Sequence, residues 1–303
     1  MAISEKQLET WTSLGSVAQS RNTYNGIKGV LEDKNAPYAA KGNVEVRLQG
    51  SYGNDTNVHG DSDVDIVLCQ RNLFYYDLDA LPETDKAAFR RDHPNVAEYD
   101  LKAFKADVVT WISKNYTQDF DPAKGNKALH IKGRNNRRNA DVLVCGEHKK
   151  YSAYPNPDGS KIAQGVIFFP RAGGSIVNYP KKHSENLTKK HQLTDDKLKP
   201  MIRIFKNMRT RMWEIGIIGD GVAPSYFIES LLYNAPEILF DGNTLQKTVE
   251  RLINFAEISD ATQLVCANYQ HWLVRDGLPT SWPTANYKRF VSGLRDFWTV
   301  FES

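Results

Sequence analysis

Two aspartates separated by one residue stand at the start of an apolar stretch. Asp63 and Asp65 lead directly into Ile66–Leu68. In an extended chain, residues two apart lie on the same face, so the two carboxylates project together while the alternate apolar residues point into a core. Neighbouring carboxylates that stay ionised need a compensating cation, and hard oxygen ligands favour Mg²⁺ or Mn²⁺, with substrate phosphates completing the coordination. This pattern predicts a metal site that handles phosphates.

A third carboxylate, Asp141, precedes a second apolar run, Val142–Cys145. If the two apolar runs are strands that pair side by side, Asp141 faces the first two acids. Three such acids can hold two divalent ions about 3.5–4 Å apart, one lowering the pKa of an attacking ribose hydroxyl and the other orienting a triphosphate. We therefore predict Asp63, Asp65 and Asp141 as metal ligands and catalytic residues, with Asp141 also as general base.

A Gly-Ser turn, Gly50 and Ser51, precedes the first pair of acids. The glycine permits close backbone approach, and the Ser51 hydroxyl with its neighbouring amides can bind terminal phosphates. Taken singly, an Asp-x-Asp pair is more often a turn or a strand end, and such a serine is more often a turn former. The turn, the paired acids and the distant third acid together favour metal-dependent nucleotidyl transfer.

The elements that must position these residues change in character along the chain. Ser4 and Gln7 resemble a capping box ahead of apolar residues at helical spacing, which predicts a long first helix. Strands and helices are mixed in the first half, and the predicted bounds are strands at 44–48, Asp63 onward, Asp141 onward and 162–169, with a helix at 98–115.

The second half of the chain has mostly helical patterns. Predicted helices cover 196–215, 224–234, 244–257, 260–275 and 284–302. We expect an α+β protein with a sheet lobe and long N-terminal helix over residues 1–183 and a helical lobe over 184–303. The active site is expected in the cleft between these lobes.

Composition narrows the class of protein. With 303 residues the chain can bury sizeable cores, and 39 basic against 36 acidic residues give a formal charge of only +3. So mild a charge does not indicate obligatory nucleic-acid binding. The three cysteines have no C-x-x-C spacing, and no apolar run approaches the length of a membrane span. We expect a cytoplasmic protein with reduced cysteines and no membrane partner.

The motifs together resemble a known family. Leu48–Tyr52 and Gly60–Asp65, with Asp141 and the later helices, are similar to the bacterial cGAS/DncV-like nucleotidyltransferases, specifically the CdnE clade. The resemblance covers nearly the whole chain. It implies a DNA polymerase β-like fold and the synthesis of cyclic di- or trinucleotide second messengers in CBASS antiphage defence. It also implies that Gln49, Gly50 and Ser51 bind nucleotide.

Two residues of the predicted helical lobe match family positions that hold the donor triphosphate. They are Lys206, in Phe205–Asn207, and Ser225, in Pro224–Glu229. A lysine supplies a mobile point charge for phosphate, and a serine near a helix N-terminus adds a hydroxyl where anions are favoured. The alternatives are a solvated lysine on a basic helix and a serine that only caps its helix. Other basic residues nearby, among them Lys199 and Arg203, are predicted to form a solvated helix face with some phosphate contact.

Three further residues concern the bases. Gln270 and Trp272 resemble the (Arg/Gln)-x-Trp motif with which members of this clade prefer pyrimidines in the donor pocket. A Gln amide can meet uracil or, flipped, cytosine, and Trp272 can stack on a base. The alternative is ordinary core packing of Tyr269 and Trp272 on one helix face. Asn178 is a candidate for reading the second base, against an alternative role before the turn at Pro180.

These residues lead to one functional hypothesis. It is a cyclic dinucleotide synthase that uses two Mg²⁺ or Mn²⁺ ions, takes UTP most readily with CTP also accepted, and makes a cyclic dipyrimidine such as cyclic di-UMP. The nearest alternative is a cyclic UMP-AMP synthase, which uses ATP as well. An RNA-tailing nucleotidyltransferase would need an RNA-binding region that the sequence does not show, and a catalytically silent sensor would not need all three acids. The resemblance also implies a product-binding effector encoded nearby, and the seven histidines have no spacing typical of a zinc site.

Overall fold

The computed structural model describes residues 3–15, 17–58, 63–95 and 97–302, with the side chains of 300–302 outside the description. Within these residues the strands are β1 (Val44–Leu48), β2 (Val64–Asp77), β3 (Leu129–Ile131), β4 (Ala140–Tyr151), β5 (Ile162–Phe168) and β6 (Ile176–Asn178). The helices are α1 (Glu5–Thr12), α2 (Ala18–Leu31), α3 (Gly50–Gly53), α4 (Glu83–Asp92), α5 (Leu101–Asn115), α6 (Pro180–Leu193), α7 (Leu198–Glu214), α8 (Ser225–Tyr233), α9 (Leu245–Ile258) and α10 (Thr284–Glu302).

The strands form one mixed sheet in the order β1-β2-β4-β5-β6, with β3 pairing to β4 as well. Strands β2 and β4 are parallel neighbours, and β1, β3, β5 and β6 join antiparallel. Each of the two parallel strands has a largely buried apolar run near its start, Ile66–Cys69 in β2 and Val142–Cys145 in β4. The α+β fold class is therefore confirmed.

The chain divides into two compact units. The sheet unit consists of Ala18–Gln49 and Ser62–Pro180, and the helical unit consists of Met1–Val17, Gly50–Asp61 and Lys181–Ser303. The sequence-based division at residue 183 therefore differs from this one in assigning the N-terminal segment and the Gly-Ser turn to the sheet lobe.

In the sheet unit, helices α2 and α5 pack on the sheet. In the helical unit, α7 is the central helix and contacts α1, α8 and α10. Its apolar positions are buried because successive turns bring them to one face, including Ile202, Phe205 and Met208. Among the described residues, no helix is both long and apolar enough to cross a membrane.

Two predicted helices are wrong. The long first helix is two helices, since Ser13 takes an extended conformation after α1 and the Gly15 amide donates to the Asn57 carbonyl. The predicted helix over 260–275 is a short 3₁₀ turn, Ala261–Gln263, followed by a loop in which Val265 bridges Trp272 antiparallel. Tyr269, at the tip of that loop, has a φ of 55°, which a right-handed helix does not allow.

Candidate active site

The sheet register brings three potential ligand residues into one row across neighbouring strands. Asp65 in β2 pairs with Asp141 in β4, and Asp141 pairs with His130 in β3. Residues paired directly across strands share a face of the sheet, so these side chains leave the sheet together. The predicted pairing of the two acidic strands is confirmed by this register.

Asp63 immediately precedes β2 and joins the same site. One ligand atom each from Asp63, His130 and Asp141 lies within 4.8 Å of the others. The Asp63 carboxylate accepts a hydrogen bond of 3.1 Å from the side-chain NH₂ of Asn139. The side-chain oxygen of Asn139 in turn accepts from the Gly133 backbone amide at 2.8 Å. Asn139, the residue immediately before β4, therefore orients the carboxylate of Asp63.

The donor set suits a hard divalent cation. Carboxylate oxygens are the preferred ligands of Mg²⁺ and Mn²⁺, and an imidazole beside them is compatible with Mn²⁺. His130 Nδ1 lies 2.9 Å from Asp141 Oδ1, and both side chains are about one-third exposed, at 31% and 37%. The site is thus open to solvent and substrate, and the residues present fit the ions expected from the sequence.

His130 and Asn139 were not identified from the sequence as site residues. His130 lies in a strand of only three residues, and nothing in a local pattern tells which strand will pair with it. A weak signal exists, because a polar residue between the apolar Leu129 and Ile131 is typical of a strand with one open face.

Gln49 and Asp65 are linked through the backbone. The Gln49 amide donates to the Asp65 carbonyl at 2.9 Å, which holds the end of β1 beside the acidic strand. The side-chain oxygen of Gln49 is buried and has no hydrogen-bond partner among the residues that the structure describes. A buried acceptor in that state is costly, so it is available to a ligand's donor group.

The Gly-Ser turn begins the short helix α3 in the helical unit. Gly50 has a φ of 67°, a conformation that favours glycine, and its carbonyl accepts from the Asn54 amide at 3.1 Å. The Ser51 carbonyl accepts from the Thr56 amide at 2.9 Å. We call residues 50–56 the Gly-Ser loop. Its start and end are tied together by these two backbone bonds, so Ser51 is held in a closed turn.

Lys206 lies on α7 and is fully buried. Its Nζ donates to the Thr56 carbonyl at 2.9 Å, so the lysine predicted to hold phosphate contacts the Gly-Ser loop. Lys199 and Arg203 precede it on the same helix face, and they bind the side chain and the carbonyl of Asp55 at 3.1 and 2.6 Å. The prediction that Lys199 and Arg203 are solvated is wrong, since they are only 8% and 9% exposed.

A buried carboxylate, Glu229 on α8, contacts the same loop from another side. Glu229 accepts hydrogen bonds from the Thr56 hydroxyl and, at 3.1 Å, from the Asn54 side-chain amide. His183 Nε2 lies 2.8 Å from Glu229 Oε2, the oxygen that also accepts from Asn54, whereas Thr56 donates to Oε1. Burial opposes ionisation of Glu229, but the His183 contact, the Lys206 charge and the Thr56 hydroxyl outweigh it and lower the pKa of the carboxyl. Sequence reasoning missed Glu229, although a lone acid in an apolar helical run is an available signal.

Ser225 is the first residue of α8, and its side chain is half-buried. Helix α3, which carries Ser51, packs against α8. Helix α7, which carries Lys206, packs against α8 as well. The helical unit therefore brings the elements of all three predicted phosphate-binding residues together around α8.

Gln270 and Trp272 lie in the loop that replaces the predicted helix. Asn268 shapes this loop, since its side-chain oxygen accepts from the Gln270 and His271 amides at 2.8 and 3.2 Å. Trp272 is 44% exposed and Tyr269 60%, so the alternative of ordinary core packing is wrong for both. The guanidinium of Arg275 lies over the Trp272 ring, 4.5 Å from its centre, so a cation occupies one face of this aromatic side chain.

Asn178 ends the edge strand β6 in the sheet unit and is half-buried. Its side-chain oxygen accepts from the Tyr179 amide at 2.8 Å, a local bond that orients the side chain. Gly165 on β5 makes close pairing possible, because a Cβ there would lie 2.6 Å from the Asn178 carbonyl oxygen.

A family model matches the C-terminal part of the chain. Residues 185–299 match the C-terminal helical domain of cGAS/DncV-like nucleotidyltransferases. The chain is also 35% identical to the cyclic UMP-AMP synthase of Rhodothermus marinus, across 99% of both proteins. The solved structure of that organism's CdnE c-UMP-AMP synthase with Apcpp and Upnpp superposes with a TM-score of 0.86 at 34% identity, covering 99% of this chain and 98% of the other.

Relatives at somewhat lower identity carry names with different products. A cyclic dipurine nucleotide synthase of Elizabethkingia meningoseptica is 30% identical over 92% of this chain and 93% of the relative. A cyclic dipyrimidine nucleotide synthase CdnE of Legionella pneumophila is 29% identical over 92% and 96%. Match lengths and identities of this size establish common descent over the whole fold. The chain therefore belongs to the cGAS/DncV-like nucleotidyltransferases, in the CdnE clade of cyclic-dinucleotide synthases.

Proposed function

We propose that this protein is a metal-dependent synthase of a cyclic dipyrimidine, with cyclic di-UMP as its main product. The row formed by Asp65, Asp141 and His130, with Asp63 beside it, is the observation that carries the nucleotidyl-transfer part of this proposal. Such a set of acids is the ligand chemistry that phosphoryl transfer by two divalent ions requires.

The reaction forms one phosphodiester bond at a time. The 3′-hydroxyl of an acceptor nucleotide attacks the α-phosphate of the donor, the new P–O bond forms, and the bond to pyrophosphate breaks. A pair of Mg²⁺ or Mn²⁺ ions held by Asp63, Asp65 and Asp141 would lower the pKa of that hydroxyl and offset the charge of the triphosphate. Asp141 accepts the hydroxyl proton, and His130 orients that carboxylate through its 2.9 Å contact. A second round on the linear intermediate closes the ring.

The triphosphate is bound by residues of the helical unit. The Ser51 hydroxyl and the loop amides donate to phosphate oxygens, and Ser225 donates at the start of α8, where the helix end favours negative charge. Lys206 contributes positive charge next to the Gly-Ser loop. Gln49 and Gly50 complete the nucleotide contacts, Gln49 through its buried side-chain oxygen and Gly50 by permitting close approach.

The preference for pyrimidines rests on Gln270 and Trp272. The exposed Trp272 face offers stacking, and the Gln270 amide offers both a donor and an acceptor to the edge of uracil or cytosine. Asn178 reads the second base in this proposal. The product acts as a second messenger in CBASS antiphage defence, received by an effector protein encoded nearby.

A second candidate product is cyclic UMP-AMP. It is favoured by the 35% identical relative from Rhodothermus marinus, which is named a cyclic UMP-AMP synthase. The two products share a uridine and differ in the second base, so they differ in whether ATP is consumed.

Incubation of the purified protein with all four ribonucleoside triphosphates and Mg²⁺ or Mn²⁺, followed by mass spectrometry, tests the proposal. A cyclic dipyrimidine supports it, and a mixed uridine-adenosine product supports the second candidate. A product of purines alone overturns the pyrimidine preference. Chelation with EDTA must abolish synthesis, and synthesis that persists in EDTA overturns the metal requirement.

A further inference from the structure

Thr56 is held at both of its polar ends by oppositely charged side chains of the helical unit. Its hydroxyl donates to Glu229, and its carbonyl accepts from Lys206 at 2.9 Å. All three residues are nearly or completely shielded from solvent, with exposures of 0%, 2% and 0% for Thr56, Glu229 and Lys206. A buried charge is tolerated only when it is paired and hydrogen-bonded, so these contacts strongly constrain where Thr56 can lie.

The constraint passes from Thr56 to Ser51 through the backbone. The Thr56 amide donates to the Ser51 carbonyl at 2.9 Å. Asn54 repeats the arrangement, since its side-chain amide donates to Glu229 at 3.1 Å and its backbone amide donates to the Gly50 carbonyl at 3.1 Å. Glu229 therefore holds both turns of the Gly-Ser loop, although it lies in another helix and is too buried to meet a substrate.

His183 keeps Glu229 in the state that this role requires. Its Nε2 lies 2.8 Å from the carboxylate, and its ring stacks on Tyr226 with centres 4.1 Å apart. An ionised carboxylate can accept hydrogen bonds from Thr56, Asn54 and His183 at once. A protonated carboxyl would instead point its own O–H donor at these donor groups. The contact set is consistent with an ionised Glu229.

We infer that Glu229 is a positioning residue for the triphosphate: together with Lys206 it clamps Thr56 and thereby sets the geometry of the Gly-Ser loop at Ser51. This inference deepens the proposed function, since it rests on Ser51 binding phosphate. Hydrogen-bond donors that folding already holds in place bind phosphate more tightly than mobile donors, because binding then costs less conformational entropy. The clamp therefore acts on affinity for the triphosphate part of the nucleotide.

A matched pair of variants separates the clamp from general stability. Thr56→Val keeps the shape and removes the hydroxyl, and Thr56→Ser keeps the hydroxyl on a smaller side chain. Calorimetry in Mg²⁺ measures the affinity of each variant for a non-hydrolysable UTP analogue and for UMP. The difference between the two affinities gives the contribution of the triphosphate. We expect Thr56→Val to bind the triphosphate analogue about tenfold more weakly than the wild type and to bind UMP with unchanged affinity. We expect Thr56→Ser to bind the analogue with wild-type affinity.

Glu229→Gln is the second variant, and it preserves size while removing the charge. It is expected to lower affinity for the triphosphate analogue and to raise KM for UTP more than it lowers kcat. The inference is overturned if Thr56→Val loses affinity for the analogue and for UMP equally, or if Thr56→Ser loses as much affinity as Thr56→Val. Either result would mean that the clamp contributes to stability alone. Wild-type protein that binds the analogue but makes no cyclic dinucleotide would overturn the proposed function, while the binding data would still decide the inference.

Discussion

Asp65 and Asp141 are register partners in the parallel pairing of β2 with β4. The two residues are 76 positions apart in the sequence, yet this pairing places them side by side on one face of the sheet. Each aspartate is the second residue of its strand and lies directly before the strand's largely buried apolar run. The burial of these two strands therefore fixes the position of the carboxylates, and a side-chain exchange can test the site without disturbing the core.

Asp141→Asn is expected to reduce cyclic dinucleotide synthesis about a hundredfold or more, because the amide neither accepts the hydroxyl proton nor binds a divalent ion well. Because the Asp141 side chain is about one-third exposed, we expect the substitution to cause only a small folding defect. Product formation by chromatography measures the effect, with Asp121→Asn, an exposed acid of the same unit, as the control. Wild-type activity in Asp141→Asn would contradict the assignment.

His130→Gln is expected to reduce activity about 10- to 100-fold, which is typical for loss of a group that orients a metal-ligating carboxylate. The predicted cause is a loss of orientation at Asp141, since His130 Nδ1 lies 2.9 Å from its oxygen. Titrating activity with Mn²⁺ measures the effect. A higher Mn²⁺ requirement than the wild type supports this role, and an unchanged requirement with unchanged rate argues against it.

Local patterns in the sequence predict the acidic strands well. Asp63, Asp65 and Asp141 each stand next to an apolar run, and strands identified from such runs need only pair as parallel neighbours to bring the acids together. His130 could not be found in the same way. Its place in the site depends on the pairing of a three-residue strand, and short strands are set by the surrounding fold and not by their own pattern.

Buried polar contacts explain what the sequence did not predict in the helical unit. Lys199, Arg203 and Lys206 are four and three residues apart, which predicts one helix face but not whether that face meets solvent. Their partners lie in the Gly-Ser loop, about 150 positions earlier, so no local signal reports them. The loop at 264–274 was missed for a related reason, since the Asn268 side chain binds the backbone in place of helical bonds.

Trp272→Ala is expected to raise KM for UTP about tenfold, since stacking of a base on an aromatic side chain contributes about 1–3 kcal/mol. Trp272→Phe retains an aromatic face and should keep most of the affinity. Steady-state kinetics with UTP and with ATP as competing substrates measure the change. A rise in KM for UTP alone supports the donor-pocket role, and no change in either contradicts it.

Gln270→Ala is expected to lower discrimination between UTP and ATP, because it removes the paired donor and acceptor that match a pyrimidine edge. Mass spectrometry of products from equimolar UTP and ATP measures the uridine share. Gln263→Ala, an exposed glutamine of the 3₁₀ turn before this loop, is the matched control and should leave that share unchanged. An unchanged uridine share in Gln270→Ala would assign base selection to other residues.

Glu229 is expected to make the stability of the protein depend on acid pH. Its pKa in the folded state lies below the ordinary value of 4.5, because the contacts with His183, Lys206 and Thr56 outweigh the opposing effect of burial. The stabilisation is therefore fully present above 4.5 and is lost as the pH falls below it towards the folded-state pKa.

Glu229→Gln should remove this acid dependence and cost about 3–5 kcal/mol of unfolding free energy at neutral pH, since it removes the negative charge from a buried set of groups that includes His183 and Lys206. Urea unfolding from neutral pH to below 4.5 measures both effects. Glu257→Gln is the control, because Glu257 pairs with Arg295 in a position that is one-third exposed, where the loss should be about 1 kcal/mol or less. If the wild type and Glu229→Gln lose stability in parallel as the pH falls, folding does not lower the pKa of Glu229.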